Sequence, residues 1–207
     1  MPQPVRKRSD GLETMGVVKR FARKELDQHG PVQFNLDRVL EKSGVARSSV
    51  YHHFGSRNEL IATIEAERYV EEVMAESEAM RAIFYSCKDR DAVLRVVENA
   101  LAMDGGKTGR RRRRRRLSLL VAAEHNAVLE RAMIRGQIEG TAHFIETITR
   151  MVERGVVVAT APIPGIAHFM QSVFVGRILV DMTNDESLDR DWVTTTMVAI
   201  RAFFVAP

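Results

Sequence analysis

Cysteine is almost absent from this chain of 207 residues, and Cys87 is its only representative. A single thiol forms no internal disulfide, and it provides no cluster of cysteine ligands for a metal. We therefore expect neither a disulfide framework nor a cysteine-based metal site. Cys87 is interpreted as a small, partly buried apolar side chain.

The chain also lacks the pattern of an export signal, since no apolar stretch follows the basic residues at 6–8. An uncharged stretch between Arg154 and Arg177 is long enough to raise the question of a membrane span. Pro162 and Pro164, with two polar residues after them, interrupt it. We expect a soluble helix to start there, no membrane partner, and a cytoplasmic location.

No arrangement typical of an enzyme is visible: the sequence shows no Ser-His-Asp order, phosphate-binding loop or paired carboxylates. His125 has no partner at ligand spacing, and the neighbours His52 and His53 diverge on a helix, so they cannot chelate together. We expect no metal, no cofactor and no catalysis. An enzyme on a helical scaffold remains a rival that a cavity with convergent polar groups would support.

The composition is that of a globular protein, with 45% hydrophobic and 28% charged residues, but its charge is unevenly placed. Residues 1–57 carry a net charge of +5, and residues 58–109 carry −5. The seven arginines Arg110–Arg116 add +7, and residues 117–207 carry −3, for a total of +4. A positive end on an acidic body suits a protein that presents one end to phosphate.

Helical periodicity runs along nearly the whole chain, and strand alternation is scarce, which predicts an all-α fold of about nine helices without repeats. Asn35 and Asn126 are expected to cap two of the helices. The pattern predicts helices over 12–29, 36–43, 46–54, 57 to about 79, 90–103, 111–123, 127–154, 164–182 and 191–205, with an extended piece at 156–161 and a flexible break at 104–109.

Residues 36–54 have the dimensions of a helix-turn-helix unit. Gly44 accepts the positive φ of a sharp turn at little cost, and a second short helix follows. Its eight residues span about 12 Å, which fits a major groove about 12 Å wide. We expect Val50 and Phe54 to face the core. The residues expected to face outward are Arg47, Ser48, Ser49, Tyr51, His52 and His53.

The order from Gly44 to Leu60, G-V-x-x-x-x-V-Y-H-H-F-G-S-R-N-E-L, resembles the DNA-binding domain of TetR-family transcriptional regulators. The resemblance is strong over residues 12–65 and only architectural beyond them. It implies a three-helix DNA-binding domain at 1–57, followed by a helical ligand-binding and dimerisation domain at 58–207. The implied protein is a homodimeric repressor that binds a palindromic double-stranded operator and is released by an unknown small-molecule effector.

The resemblance also assigns roles to the second helix of the motif. Arg47 and Ser48 would approach the bases, since arginine binds guanine through two hydrogen bonds. His52 would contact either bases or phosphates. The residues that would hold phosphates are Ser49, Tyr51, His53 and Arg57.

Three positions depart from the family's pattern. Ala46 stands where a serine or threonine usually caps the helix, so we expect one helix-end N–H to lack a side-chain partner. Leu40 replaces a small residue near the helix crossing, which is expected to alter the crossing angle. Glu25 occupies a position where an apolar residue is common.

The second domain offers candidates for a ligand pocket and a dimer interface. Methionine and phenylalanine line adaptable apolar cavities well, although most such residues are expected to be plain core. The residues chosen for the pocket are Phe84, His125, Phe144, Ile148 and Phe169. Small residues on the last two helices permit close approach in a dimer, with an internal helix pair as the alternative. The residues chosen for the interface are Gly176, Trp192, Ala199 and Ala202.

The run Arg110–Arg116 is open to several interpretations. Like charges repel one another, and arginine opposes the dipole at a helix N-terminus, so we expect partial disorder or salt bridges to the acidic segment 59–78. Non-specific attraction to DNA and the mouth of an anionic-ligand site are alternatives. An architectural or RNA-binding protein driven by this run is the main rival to a regulator, and it would show steep salt dependence without a preferred sequence.

Overall fold

Helices make up almost all of the computed structural model, which describes the backbone of residues 6–183 and 185–207 and the side chains from residue 11 onward, except Glu186. The basic cluster at 6–8 therefore lies outside the described side chains. Helices α1 to α10 span Arg6–His29, Leu36–Ser43, Arg47–Phe54, Arg57–Ser86, Arg90–Gly105, Lys107–Ala123, Ala127–Glu153, Ile163–Gly176, Ile178–Thr183 and Glu186–Phe203. Two short strands, β1 at Val158–Ala159 and β2 at Phe204–Val205, pair antiparallel.

The predicted all-α architecture is confirmed. Within the described ranges there are ten helices, but α8 and α9 are separated by Arg177 alone and correspond to one predicted helix. Asn35 caps α2 as predicted, because its side-chain oxygen accepts the N–H groups of Asp37 and Arg38 at 2.8 and 3.4 Å. Asn126 caps α7 in the same way.

Several boundaries differ from the prediction, and the first is the start of α1, which lies at Arg6 rather than at residue 12. The flexible break at 104–109 is wrong, because only Gly106 separates α5 from α6. Helix α4 continues to Ser86 rather than ending near residue 79. Helix α10 begins at residue 186, five residues early, because Asp185 caps it by accepting the N–H of Ser187 at 2.9 Å.

The first three helices enclose a small core that the start of α4 completes. Val18, Val39, Val50 and Leu60 are almost fully buried in it. Gly44 ends α2 with φ of 68°, the left-handed conformation that glycine adopts most readily. Because α4 contributes Leu60 to this core and also runs through the rest of the molecule, any movement of α4 reaches the first three helices directly.

Helices α4 and α7 pack unusually close together where two glycines of α7 face α4. A Cβ atom on Gly136 would lie 2.6 Å from Cε1 of Tyr69, and one on Gly140 would lie 2.9 Å from Cγ1 of Val73. A methyl group at either glycine would therefore force the Tyr69 or Val73 side chain, or the helices themselves, to shift. A separate, larger core lies among α5, α7, α8 and α10.

The arginine run forms a regular part of α6, so the prediction of partial disorder is wrong and the prediction of salt bridges is confirmed. Arg115 binds Glu65 and Glu72 of α4 at 2.7 and 2.6 Å. Arg112 reaches Glu76 at 3.2 Å. Each pair cancels part of the repulsion within the run, which allows these arginines to share one helix.

Arg113 is the arginine of the run that is buried, with 8% of its surface exposed. Its guanidinium donates to both carboxylate oxygens of Asp181 in α9 at 2.7 and 2.8 Å, and to the carboxylate of Asp104 in α5. It also donates to the backbone carbonyl of Asp104 at 2.7 Å. One side chain thus joins three helices.

The segment Ile163–Thr183 is long and apolar enough to cross a membrane by length and composition, and it is the one such segment in the described part of the chain. Ile166 and Met170 on one of its faces are buried in the larger core. Arg177, in its middle, is fully buried and donates to Asp189 at 2.5 Å. The segment is therefore packed into the protein through both apolar and charged groups.

Candidate nucleic-acid interface

Helix α3 turns its polar side to solvent and its apolar side to the core, as the sequence predicts. Val50 is fully buried, and Phe54 packs against the same core. The exposed side chains of α3 are Arg47, Ser48, Ser49, Tyr51, His52 and His53. These residues are the ones assigned to bases and phosphates, and their contacts with DNA stay a prediction.

Ala46 provides no side-chain hydrogen bond to the start of α3, as expected for an alanine at this position. The start of α4 has the S-x-x-E sequence of a capping box at residues 56–59 but forms only half of one. Ser56 accepts the N–H of Glu59 at 3.1 Å, but the Glu59 carboxylate accepts from the side-chain amide of Asn126 at 3.1 and 3.2 Å. Glu59 therefore ties the beginning of α4 to the beginning of α7.

Arg47 is held by two neighbours on the exposed face. Its guanidinium pairs with Asp37 of α2, and its Nη1 donates to the Tyr51 hydroxyl at 3.4 Å. The hydrogen bond to Tyr51 and the charge of Asp37 raise the pKa of Arg47 above its ordinary value. Asp37 was not among the predicted site residues, although an acidic residue in the first turn of the first motif helix was visible in the sequence. A base contact by Arg47 requires its release from Asp37.

Replacing Asp37 with asparagine is expected to increase DNA affinity up to about fivefold, since an exposed ion pair contributes about 0.2–1 kcal/mol. The change frees Arg47 and removes a negative charge from the face that would meet phosphate. Fluorescence anisotropy with a labelled duplex at low salt measures the effect. Glu41→Gln is the matched control, because Glu41 is an exposed acid of the same helix. Equal gains from both variants would attribute the effect to net charge and contradict a specific restraint on Arg47.

Arg57, assigned to phosphate, makes contacts within the protein. Its Nη2 donates to the backbone carbonyls of Phe34 and Pro31 at 2.8 and 3.1 Å, and its guanidinium lies 5.4 Å from the Phe34 ring centroid. These bonds join the start of α4 to the loop between α1 and α2. The contacts favour a structural role, and a phosphate contact stays a prediction.

Glu25 is buried, and its hydrogen bonds all go to Oε1, while Oε2 has no hydrogen-bond partner among the described residues and lies 3.8 Å from His29 Nε2. Its carboxylate accepts from Arg38 Nε and Nη2 at 2.8 and 2.5 Å and from the N–H of Asn35 at 3.2 Å. The Arg38 hydrogen bonds hold the pKa of Glu25 below its ordinary value, although burial opposes them. The acid at this unusual position thus fixes α2 against α1.

This head of one long and two short helices, with an exposed polar face on α3, coincides with a known domain. Residues 20–64 match the family model described as bacterial regulatory proteins, tetR family. Residues 20–64 therefore form a domain of the TetR family. The predicted resemblance is confirmed, and no curated protein sequence gives a significant match to the chain.

Solved structures, TetR-family regulators among them, share the fold of nearly the whole chain. A TetR-family transcriptional regulator from Pectobacterium atrosepticum is 21% identical, with a TM-score of 0.65 over 97% of this chain and 98% of that one. A putative TetR-family regulator from Mesorhizobium loti is 13% identical, with a TM-score of 0.65 over 94% and 98%. The reduced form of E. coli NemR is 14% identical, with a TM-score of 0.60 over 94% and 98%. The TM-scores show that this chain shares the fold of these proteins.

The five residues chosen for a ligand pocket are not brought together. Phe144 lines a cavity of about 210 Å³ between α4 and α7. Phe84 and Ile148 are buried in the larger core, and His125 is exposed in the turn between α6 and α7. Phe169 is partly exposed and packs edge-on against Phe203, with centroids 5.1 Å apart. The ligand role of all five stays a prediction.

The prediction from the sequence did not include most of the residues that line this cavity. They share no composition that marks a pocket, but one signal was present. Gly136 and Gly140 are four residues apart, so they lie on the same helix face and mark a close approach of two helices. The lining residues that were not chosen include Tyr69, Val73, Glu76, Met80 and Arg116.

The residues chosen for a dimer interface differ in exposure. Gly176 and Ala202 are exposed, and Ala199 is half-buried. Trp192 is half-buried and covers the guanidinium of Arg177, which lies 4.2 Å from its ring centroid. Trp192 therefore has a contact within its own subunit, and its role in a dimer stays a prediction.

Proposed function

We propose that the protein is a homodimeric, sequence-specific transcriptional repressor, released from a palindromic operator by a small-molecule effector. The observation that carries this proposal is the exposed polar face of α3 on a TetR-family head. The described residues place Arg47 and Tyr51 next to each other on that face. In this proposal the arginine donates hydrogen bonds to base edges, and the tyrosine hydroxyl donates one to a phosphate.

A second copy of the chain is the partner that suits α8, α9 and α10. Large apolar side chains remain exposed on all three helices, among them Val175, Leu179, Met182 and Val198, with exposed fractions of 59, 69, 75 and 67%. A four-helix interface between two copies would bury such residues. Two recognition helices would then lie about 34–36 Å apart, or a multiple of that distance, and would require a palindrome.

In this proposal residues 1–57 bind DNA, and residues 58–207 bind the effector and the second subunit. The effector favours a head spacing that no longer matches the operator, which requires different ligand affinities in the two states. The protein acts in the cytoplasm without catalysis. The rival based on the arginine run loses support, since Arg112, Arg113 and Arg115 are bound to acidic residues of the same chain.

Selection of bound sites from random duplex DNA tests the proposal with the intact protein. The expected result is one enriched palindrome whose half-sites are separated by about one helical turn or a multiple. Binding without enrichment of any sequence, together with steep salt dependence, would support an architectural protein and contradict the regulator.

Tyr51→Ala is expected to weaken binding to the selected operator about 10-fold to 100-fold, because a hydrogen bond to a charged group contributes about 1.5–3 kcal/mol. The change also removes the Tyr51 restraint on Arg47. Electrophoretic mobility shift with the selected duplex measures the loss. The control is the double change of Arg111 and Arg114 to serine, two exposed arginines of the run. If the double variant loses all DNA binding and Tyr51→Ala does not, the proposed interface is wrong.

A further inference from the structure

The cavity between α4 and α7 has an apolar side and a charged side. Val73, Met80 and Phe144 line one part, and Arg116 of α6 lines another. Its volume of about 210 Å³ corresponds to roughly seven water molecules at about 30 Å³ each. This is below the range of drug-sized pockets, about 300–1,000 Å³, so the cavity suits a small ligand.

Arg116 is the cation of the cavity, and its ion pair is weak. Its Nη2 lies 3.7 Å from Glu76 Oε2, beyond hydrogen-bonding distance. Glu76 has a closer partner, because Arg112 Nη1 donates to its other oxygen at 3.2 Å. The Arg116 guanidinium therefore keeps its donors for another acceptor.

The surroundings of Arg116 favour an anion. Its guanidinium lies 5.7 Å from the ring centroid of Tyr69, which fixes one side of it. Burial raises the pKa of the Tyr69 hydroxyl, although the charge of Arg116 opposes this shift, so the hydroxyl keeps its proton near neutral pH. The other arginines of α6 add positive potential, which Glu76 and the acidic partners of Arg112, Arg113 and Arg115 offset in part.

We propose that this cavity binds a small organic acid, with its carboxylate on Arg116 and a body of about one ring against Val73, Met80 and Phe144. The carboxylate takes hydrogen bonds from the guanidinium and the Tyr69 hydroxyl, in place of the distant Glu76. The proposal rests on the proposed function in one respect: the acid is the class of effector that a ligand-responsive regulator would use.

Titration calorimetry on the intact protein tests the ligand class without DNA. The probes are benzoate, its neutral amide benzamide and the cationic benzylammonium, supplemented by branched aliphatic acids and their amides. We expect at least one acid to bind, and its amide to bind about tenfold more weakly or worse, the loss expected for one charge-assisted hydrogen bond. Equal or tighter binding of the amides or of the cation, or no binding of any acid at millimolar concentration, would overturn the proposal.

Two variants assign the binding to Arg116. Arg116→Gln is expected to weaken binding of the acid about tenfold or more. Arg114→Gln is the matched control, an exposed arginine of the same run outside the cavity lining, and it should leave the affinity unchanged. Glu76→Gln removes the competing carboxylate and should strengthen binding. The Glu76→Gln variant tests the site even if Arg116→Gln fails to fold. Unchanged affinity for the acid in Glu76→Gln, or in a folded Arg116→Gln, would overturn the site.

The two proposals fail in different ways. Selection of a palindrome combined with the absence of acid binding overturns the ligand class and leaves the regulator intact. Binding of acids combined with unselective DNA binding overturns the regulator and leaves the site at Arg116 intact.

Discussion

The Arg113→Met variant is expected to lose about 3 kcal/mol of the free energy of unfolding, measured by urea denaturation. Removing one partner of a buried ion pair typically costs about 3–5 kcal/mol, because the remaining charge stays buried without compensation. Here the carboxylates of Asp104 and Asp181 both lose Arg113. We expect the lower end of this range because both carboxylates keep another arginine. Arg112 still lies 2.6 Å from Asp104, and Arg110 lies 3.6 Å from Asp181.

Arg114→Met removes the same charge one residue further along α6 and serves as the control. Arg114 is exposed, so its replacement is expected to change the free energy of unfolding by less than about 0.5 kcal/mol. Comparable losses in both variants would show that the run acts only through its total charge. If either variant were stabilised by more than about 0.5 kcal/mol, repulsion among the arginines of the run would outweigh their ion pairs.

The Arg113 effect has a defined pH dependence. Burial opposes ionisation of Asp181, but its hydrogen bond with Arg113 and the nearby arginine charges hold its pKa below the ordinary value. A lowered pKa in the folded state contributes stability that is present above the unfolded pKa of about 3.9 and is lost as pH falls through the folded pKa. The difference between the wild type and Arg113→Met should therefore shrink in acid.

Gly109→Ala is expected to destabilise the protein by about 2 kcal/mol in the same measurement. A Cβ at this position would overlap the backbone carbonyl of Asp104, whose carbon would lie only 2.6 Å away. Overpacking typically costs about 1–3 kcal/mol, and a backbone neighbour cannot rotate aside, so we take the upper end. The higher helix propensity of alanine than of glycine offsets about 1 kcal/mol of this cost.

Gly16→Ala is the matched control for Gly109→Ala. Gly16 lies within α1, and a Cβ there would meet nothing within 4 Å. We expect a stabilisation of about 0.5–1 kcal/mol, since alanine restricts the unfolded chain and favours the helix. A gain of similar size in both variants would contradict the close packing of α6 against the end of α5, which also brings Arg113 to Asp104.

The structure of the N-terminal head could be predicted from the sequence, because the residues that form it act on close neighbours in the chain. Asn35 caps the residues that follow it, Gly44 supplies the left-handed turn, and Val50 alternates with polar neighbours on one short helix. Each of these features depends on residues within about four positions of one another, so the local sequence was sufficient to predict them. The same holds for the cap of α7 and for the all-helical class.

The roles of the charged residues could not be predicted in this way, because their partners lie far away in the sequence. Arg57 binds a carbonyl 23 positions away, Arg115 binds an acid 43 positions away, and Arg113 binds an acid 68 positions away. The arginine run therefore gave no sign of which member is buried between two carboxylates and which lines a cavity. Those assignments follow from packing of α6 against α4, α5 and α9, which local sequence does not encode.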